Sequence, residues 1–175
     1  MKVAAWLVPS QPGHHRLASV IRALASRLGT HSFQPHITLC AGECGASNME
    51  AMATRVAAAV RGPVPLTVAS IGNSDDYYRC LFVEFVAGSE VLELRAAALR
   101  EIGPDAREFR PHVSLLYAEL EAEARAHLAA EMASLALPEM AGAVIEVVET
   151  GAGLEQWRTL ARIALPSAPP VRGFG

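Results

Sequence analysis

The sequence predicts an α+β fold in which two small antiparallel sheets carry helices on their outer faces. Three observations predict it. Strand and helix patterns run β-α-β-α-β and then β-α-β-α-β-β, so the chain reads as two halves of similar grammar. Hairpins interrupt the alternation and no Gly-x-Gly-x-x-Gly follows the first strand, which disfavours a doubly wound parallel sheet. The segment PHITL at 35–39 returns as PHVSL at 111–115, an offset of 76 residues.

Each element has a local reason. Residues 2–8 (KVAAWLV) form an apolar strand stopped by Pro9 and by the turn signal Pro12-Gly13. Leu17, Ile21, Leu24 and Leu28 recur at helical spacing over 14–28, and Gly29 stands where a helix-ending glycine belongs. Residues 36–41 (HITLCA) are a short strand entered through Pro35, which favours extended backbone before it. Asn48 is placed to cap a helix over 48–61, with Met52, Val56 and Val60 on one stripe and Gly62-Pro63 as the stop. Val64 to Ile71 alternates, a turn occupies 72–76, and Tyr77 to Val86 returns, so the pair reads as a hairpin. A helix over 89–102 closes at Gly103-Pro104, and the strand 112–117 (HVSLLY) is entered through Pro111. A helix over 121–135 and two strands, 144–149 and 157–165 around a glycine-containing turn at 151–153, complete the pattern. Residues 1–166 are expected to form one domain, with the Pro-rich tail 167–175 outside it.

Composition excludes several classes. With 51% hydrophobic and 19% charged residues, the 175-residue chain can bury a core and lacks the composition of a disordered segment. Lys+Arg 15 against Asp+Glu 18 leaves a formal charge of −3, which argues against a DNA-coating surface while allowing a local basic pocket. The apolar run from Val3 to Val8 is too short for a signal sequence or a membrane span, so a soluble cytoplasmic monomer is expected, with no membrane or DNA partner. Cys40, Cys44 and Cys80 include no Cys-x-x-Cys pair and belong to no four-ligand soft cluster; they are expected as structural thiols, with no metal and no cofactor. His14, His15 and His31 have no matching partner elsewhere in the chain.

The repeated segments carry the chemistry. In a strand, residues i and i+2 share a face, so His36 and Thr38 point one way while Ile37 and Leu39 point the other. His112 and Ser114 share a face in the same manner, backed by Val113 and Leu115. A lone His-x-Thr on a strand is ordinarily a packed histidine. Two matched copies in a chain with only six histidines point instead to one cleft where two imidazoles and two hydroxyls converge. Near neutral pH one imidazole can take a proton from water while the other gives one to a leaving oxygen. Thr38 and Ser114 can donate hydrogen bonds to phosphoryl oxygens. Metal-free opening of a cyclic phosphodiester suits that set.

These two segments resemble the paired His-x-Thr/Ser motifs of the 2H phosphoesterase superfamily. Within it the chain is most similar to the cyclic phosphodiesterases of the tRNA-splicing by-product pathway. YYRCLFVEF at 77–85 resembles their central strand, RPHVSLLYAEL at 110–120 their second motif with its following tyrosine, Tyr117, and WRTLARIALP at 157–166 their closing strand. The resemblance covers most of residues 1–166. It implies a bilobal fold about a pseudo-twofold axis with the active site in the groove between lobes. It also implies hydrolysis of ADP-ribose 1″,2″-cyclic phosphate to the 1″-phosphate and of nucleoside 2′,3′-cyclic phosphates to 2′-phosphates. By that similarity His36 and His112 are the catalytic pair and Thr38 and Ser114 bind phosphate. The working assignment makes His112 the general base and His36 the general acid, although the symmetry of the motifs does not break the tie. Tyr117, Tyr77, Trp157 and Arg110 are candidates for the substrate pocket. Trp6 fits core packing at least as well as a stacking position in the cleft, and Arg79 fits a solvated position better than a place in the phosphate field. The expected partner is a small cyclic phosphate or a short RNA end. Two alternatives stand beside this reading: an RNA-end 2H enzyme, acting as a 2′,3′-cyclic phosphodiesterase or a 2′,5′ RNA ligase, and a non-catalytic nucleotide-binding module. The acidic balance argues against a long RNA partner, and the presence of all four motif residues argues against an idle module.

Overall fold

A computed structural model describes residues 1–45, 48–151 and 153–166; the Pro-rich tail 167–175 lies outside the described residues. The strands are β1 (Lys2–Pro9), β2 (Ile37–Glu43), β3 (Val64–Leu66), β4 (Val68–Asn73), β5 (Leu81–Phe85), β6 (His112–Leu116), β7 (Met140–Glu149) and β8 (Arg158–Ala164). The helices are α1 (Gly13–Leu28), α2 (Met49–Ala57), α3 (Ser89–Ile102) and α4 (Ala122–Met132). Asn48 caps α2 as expected, its side-chain oxygen accepting from the Ala51 N–H at 2.9 Å. Gly29 ends α1 with φ of 66°, where a side chain would be strained, and its N–H reaches the Ala25 carbonyl.

The strands pair antiparallel in the order β3-β7-β1-β2-β6-β5-β4, with β8 beside β7. One lobe is β2, β1 and β7, with β3 and β8 sharing the outer edge of β7. The other is β6, β5 and β4. The lobes meet at a single registered pair, Ile37 on β2 and Val113 on β6. These residues hold the same place in the two motifs, so a pseudo-twofold axis passes between them. The 76-residue offset extends beyond the motifs. On β1, Ala5 pairs with Cys40 and Trp6 with Thr38, which leaves Leu39 bulged. On β5, Leu81 pairs with Leu116 and Phe82 with Ser114, which leaves Leu115 bulged. Each motif strand is thus bent at the same step, just beyond its hydroxyl residue. The helices lock the seam, because α1 packs on β6 and α3 on β2, each on the motif strand of the opposite half.

Strand alternation decides which face is core. Leu7, Ile37, Leu39, Val83, Val113 and Leu115 meet the apolar stripes of the helices, among them Leu17, Ile21, Val91 and Leu94, and all are fully buried. Ala4 and Trp6 point to the other face, packed with Val148. That second face carries the motif side chains.

Two sequence expectations are corrected. Residues 64–71 do not form one strand. Val64–Leu66 pairs with β7 and Val68–Asn73 with β5, at opposite ends of the sheet order, with only Thr67 between them. A one-residue link between the two ends forces the sheet to curl nearly closed, as a barrel does. Pro65, which has no N–H to give, sits on the short edge strand where that costs least. Tyr77 and Tyr78 do not open a strand either. Tyr77–Arg79 form a 3-10 turn begun by Asp76, whose carboxylate accepts from the Tyr78 N–H at 2.9 Å, and the strand starts only at Leu81. The ends of α2 and α4 also lie inside their expected bounds, while α1 and α3 keep theirs to within one residue. α2 stops at Ala57 because its last turn tightens into the contacts Ala59 N to Val56 O and Val60 N to Ala57 O, though Val60 stays buried as the stripe required. Among the described residues, no helix is long and apolar enough to cross a membrane.

Candidate active site

A cleft of about 690 Å³ runs along the seam, and His36, Thr38, His112 and Ser114 all line it. Extending the Ile37–Val113 register by one residue each way sets His36 across from Ser114 and Thr38 across from His112. That register places each histidine opposite the hydroxyl residue of the other half.

The two rings are held alike. His36 Nδ1 lies 2.7 Å from the Gln34 carbonyl oxygen, and His112 Nδ1 lies 2.7 Å from the Arg110 carbonyl oxygen. A carbonyl oxygen only accepts, so Nδ1 of each neutral ring carries the proton and Nε2 keeps its lone pair. A proline separates carbonyl and ring in both copies, Pro35 and Pro111. Its fixed φ folds the preceding carbonyl back toward the imidazole.

Burial sets the charge state. His36 is 7% exposed, and the Trp6 ring stacks on it with centroids 3.7 Å apart. Desolvation pushes its pKa down to about 4, the Gln34 carbonyl acts upward, and the charge of His112 lowers it further. His112 is half-buried, and Phe82 presents an edge-on ring 5.5 Å away. Burial lowers its pKa as well. The Arg110 carbonyl opposes that shift, Arg79 adds to it, and Glu84 and Asp76 act against it. Both shifts favour neutral rings. Ser114 Oγ donates to the Tyr78 carbonyl at 2.7 Å, so a phosphoryl oxygen that takes this proton would replace that acceptor.

The pocket candidates divide. Tyr117 and Trp157 line the cleft. β6 ends at Leu116, which frees Tyr117 from strict alternation. Its ring stacks on Phe33 at 3.7 Å, and burial raises its phenol pKa. Tyr77 is corrected: its neighbour Tyr78 is the one that lines the cleft, because the 3-10 turn rotates the pair away from the expected strand geometry. Tyr78 stacks near Trp157, with centroids 5.9 Å apart. Arg110 lines the cleft, but its guanidinium forms a two-bond ion pair with Glu84 at 2.8 and 2.6 Å. Sequence reasoning leaned toward core packing for Trp6 and a solvated position for Arg79, whereas the structure puts both in the cleft wall. The readable signal for Trp6 was its 76-residue offset from Phe82, hidden because the two residues differ in type. His14, His15 and His31 do not line the cleft. The three cysteines are buried, as expected of structural thiols. Among the described residues, no three His, Cys, Asp or Glu side chains gather as a metal-holding group.

Comparison with known proteins agrees with this architecture. Escherichia coli LigT in its apo form superposes with a TM-score of 0.58 at 16% identity, covering 95% of this chain and 98% of LigT. Its complex with 3′-AMP gives 0.57 at 16% identity over 95% and 98% of the two chains. TT0787 of Thermus thermophilus gives 0.62 at 15% identity over 95% and 99%. At such identities the likeness is one of fold. No curated protein matches the sequence significantly. The family described as cyclic phosphodiesterase-like protein matches residues 1–165, and this chain belongs to that family of 2H phosphoesterases.

Proposed function

We propose that the protein is a metal-independent cyclic phosphodiesterase that opens small cyclic nucleotide phosphates, with His36 and His112 as its acid–base pair. The observation that carries this reading is the twinned site: two imidazoles held by Nδ1 in the same way, each in register opposite a hydroxyl residue of the other half, in one cleft. The preferred substrates are ADP-ribose 1″,2″-cyclic phosphate and nucleoside 2′,3′-cyclic phosphates. Family membership supports the reaction class, and LigT, which shares the fold, forms complexes with phosphate and with 3′-AMP.

The step balances without a co-reactant other than water. Nε2 of one neutral ring takes a proton as the water oxygen bonds to phosphorus. The ring P–O bond breaks, and Nε2–H of the other, protonated ring delivers a proton to the departing oxygen. Thr38 and Ser114 donate to the non-bridging oxygens as charge gathers there, and Arg79 adds positive field beside His112. The stacked Tyr78 and Trp157 rings offer a surface for a base.

The test is steady-state hydrolysis of both cyclic substrates by His36→Ala and His112→Ala. Each replacement is expected to cost on the order of 10²–10⁴-fold in kcat, the range for loss of a general acid or base. Turnover within a few-fold of wild type in either variant refutes the proposal. A second reading, action on RNA cyclic ends, is favoured by Lys2, which lines the cleft besides the cations near the histidines; Arg95 and Arg107 line it too, but Arg95 is held by the Leu39 carbonyl and Arg107 is paired with Asp105. A higher kcat/KM on a short RNA with a 2′,3′-cyclic end than on either small substrate would select it.

A further inference from the structure

Each histidine is held by a carbonyl two residues upstream, and the side chain of that same upstream residue is tied to a glutamate. Arg110, whose carbonyl holds His112, places Nε and Nη2 on Glu84 at 2.8 and 2.6 Å. Glu84 sits on β5 directly opposite His112 in the strand register and is 17% exposed. Gln34, whose carbonyl holds His36, places Nε2 on Glu146 Oε2 at 3.2 Å. Glu146 lies on β7, where its side chain is 1% exposed, and it is held there by Thr159 and Arg162 from β8. A carboxylate buried that deeply needs a structural reason, and its ring of donors fixes it as a rigid anchor point.

We infer that Glu84 and Glu146, on strands that the pseudo-twofold does not relate, are positioning residues of like role: each clamps the residue before the motif proline, and through that residue's carbonyl each holds its histidine in the Nδ1–H form with Nε2 turned to the cleft. The inference rests on the proposed acid–base roles of His36 and His112. The geometry gives the reason. Pro35 and Pro111 have no N–H and a fixed φ, so they cannot anchor the loop through a hydrogen bond of their own nitrogen. The fixed φ sets the upstream carbonyl relative to the proline, and Pro111 is itself tied to β5 by its carbonyl, which accepts from the Phe85 N–H at 2.8 Å; the grip of the upstream side chain is a further tie on that carbonyl. Gln34 and Arg110 grip carboxylates on neighbouring strands, so the carbonyl that selects the imidazole tautomer is fixed to the sheet. Outer partners that orient metal-binding histidines typically affect affinity or activity by about 10- to 100-fold, and the same scale is expected for a clamp that orients an acid–base pair.

The test pairs a spectroscopic readout with kinetics. Tautomers of His36 and His112 are read from the nitrogen chemical shifts of the ¹⁵N-histidine-labelled protein above the titration range, in wild type, Glu84→Ala, Arg110→Ala, Glu146→Gln and Gln34→Ala. Gln34→Ala breaks the same link as a change at Glu146 while leaving the Glu146–Arg162 pair intact, so it answers if the buried variant fails to fold. Glu101→Gln, which alters the comparable surface pair between Glu101 and Arg55, is the control. Expected are a new Nε2–H population at His112 in the Glu84 and Arg110 variants and at His36 in the Gln34 and Glu146 variants. kcat should fall about 10- to 100-fold and KM change little. The control should match wild type in both readouts. Retention of the wild-type tautomer at both rings in the folded variants overturns the inference. His36→Ala and His112→Ala, assayed alongside, separate the two readings. If those variants keep full turnover while the tautomers shift, the acid–base proposal has failed and the clamp has not.

Discussion

The charge state of His36 gives the sharpest quantitative expectation. Burial holds its pKa near 4 in the free protein, so at pH 7 the ring is neutral. Filling the cleft with a singly charged phosphodiester is the perturbation. At roughly 4 Å, with an effective dielectric constant of about 20, a unit negative charge stabilises the imidazolium by about 4 kcal/mol. One pK unit corresponds to about 1.36 kcal/mol, so the pKa should rise by about three units, to near 7. Ligand binding and proton uptake are then linked. The complexed ring holds a proton below about pH 7 and the free ring only below about pH 4. Affinity should therefore climb as pH falls through that window, approaching a thousandfold gain, and flatten below it. A nucleoside 2′,3′-cyclic phosphorothioate keeps one fixed charge across this range. The assay is an NMR titration of the His36 Cε1–H signal with and without saturating analogue, with calorimetric Kd values at several pH values. A pKa near 6.5 in the free protein, or a rise of less than one unit on saturation, refutes the reasoning.

Three further outcomes follow from the same geometry. The folded-state pKa of His36 lies below its unfolded value of about 6.5, so the unfolded chain binds the extra proton. Stability should be unaffected by this group above pH 6.5, fall by about 3 kcal/mol between pH 6.5 and 4, and change no further below; urea unfolding should show a flatter acid limb in His36→Gln. Arg79 lowers the His112 pKa, so Arg79→Ala should raise it, measured in the same NMR titration, and should raise KM for a cyclic phosphate. Full activity is expected in excess chelator; a rate recovered only on adding a divalent metal would count against the two-histidine mechanism.

The motif face was legible because strand periodicity is strict: once PHITL and PHVSL are strands, His36 and Thr38 must oppose Ile37 and Leu39, and the buried positions agree. Helix α1 was legible for the same kind of reason, its apolar period and Gly29 pointing to one boundary. What was not legible depended on long-range partners. Thr67 breaks an evenly alternating segment only because its two sides pair with strands at opposite ends of the sheet. Tyr77 has strand propensity, yet Asp76 caps a turn there and brings Tyr78 to the cleft. Glu146 sits in an apolar strand, where its charge is explained only by Gln34, Thr159 and Arg162 arriving from distant parts of the chain.

The proposed mechanism must also break the symmetry that duplication creates. Two equivalent halves supply two equivalent histidines, but hydrolysis needs one ring to accept a proton and the other to give one. The halves differ at the aromatic residue beside each ring. Trp6 lies face to face on His36 at 3.7 Å, whereas Phe82 meets His112 edge-on at 5.5 Å. The indole face stabilises an imidazolium once a bound phosphate has raised its pKa, and the deep position of His36 keeps bulk water from it. His112 is more open to solvent, and Arg79 favours its neutral form, which suits a ring that must draw a proton from incoming water. We therefore retain His36 as the acid and His112 as the base. An aryl phosphodiester such as bis-p-nitrophenyl phosphate has a leaving group that departs without protonation, so the acid becomes dispensable while the base does not. His36→Ala should recover most of its rate on the aryl diester relative to wild type, and His112→Ala should not. Recovery confined to His112→Ala reverses the assignment, and equal losses in both variants would mean that Trp6 does not separate their roles.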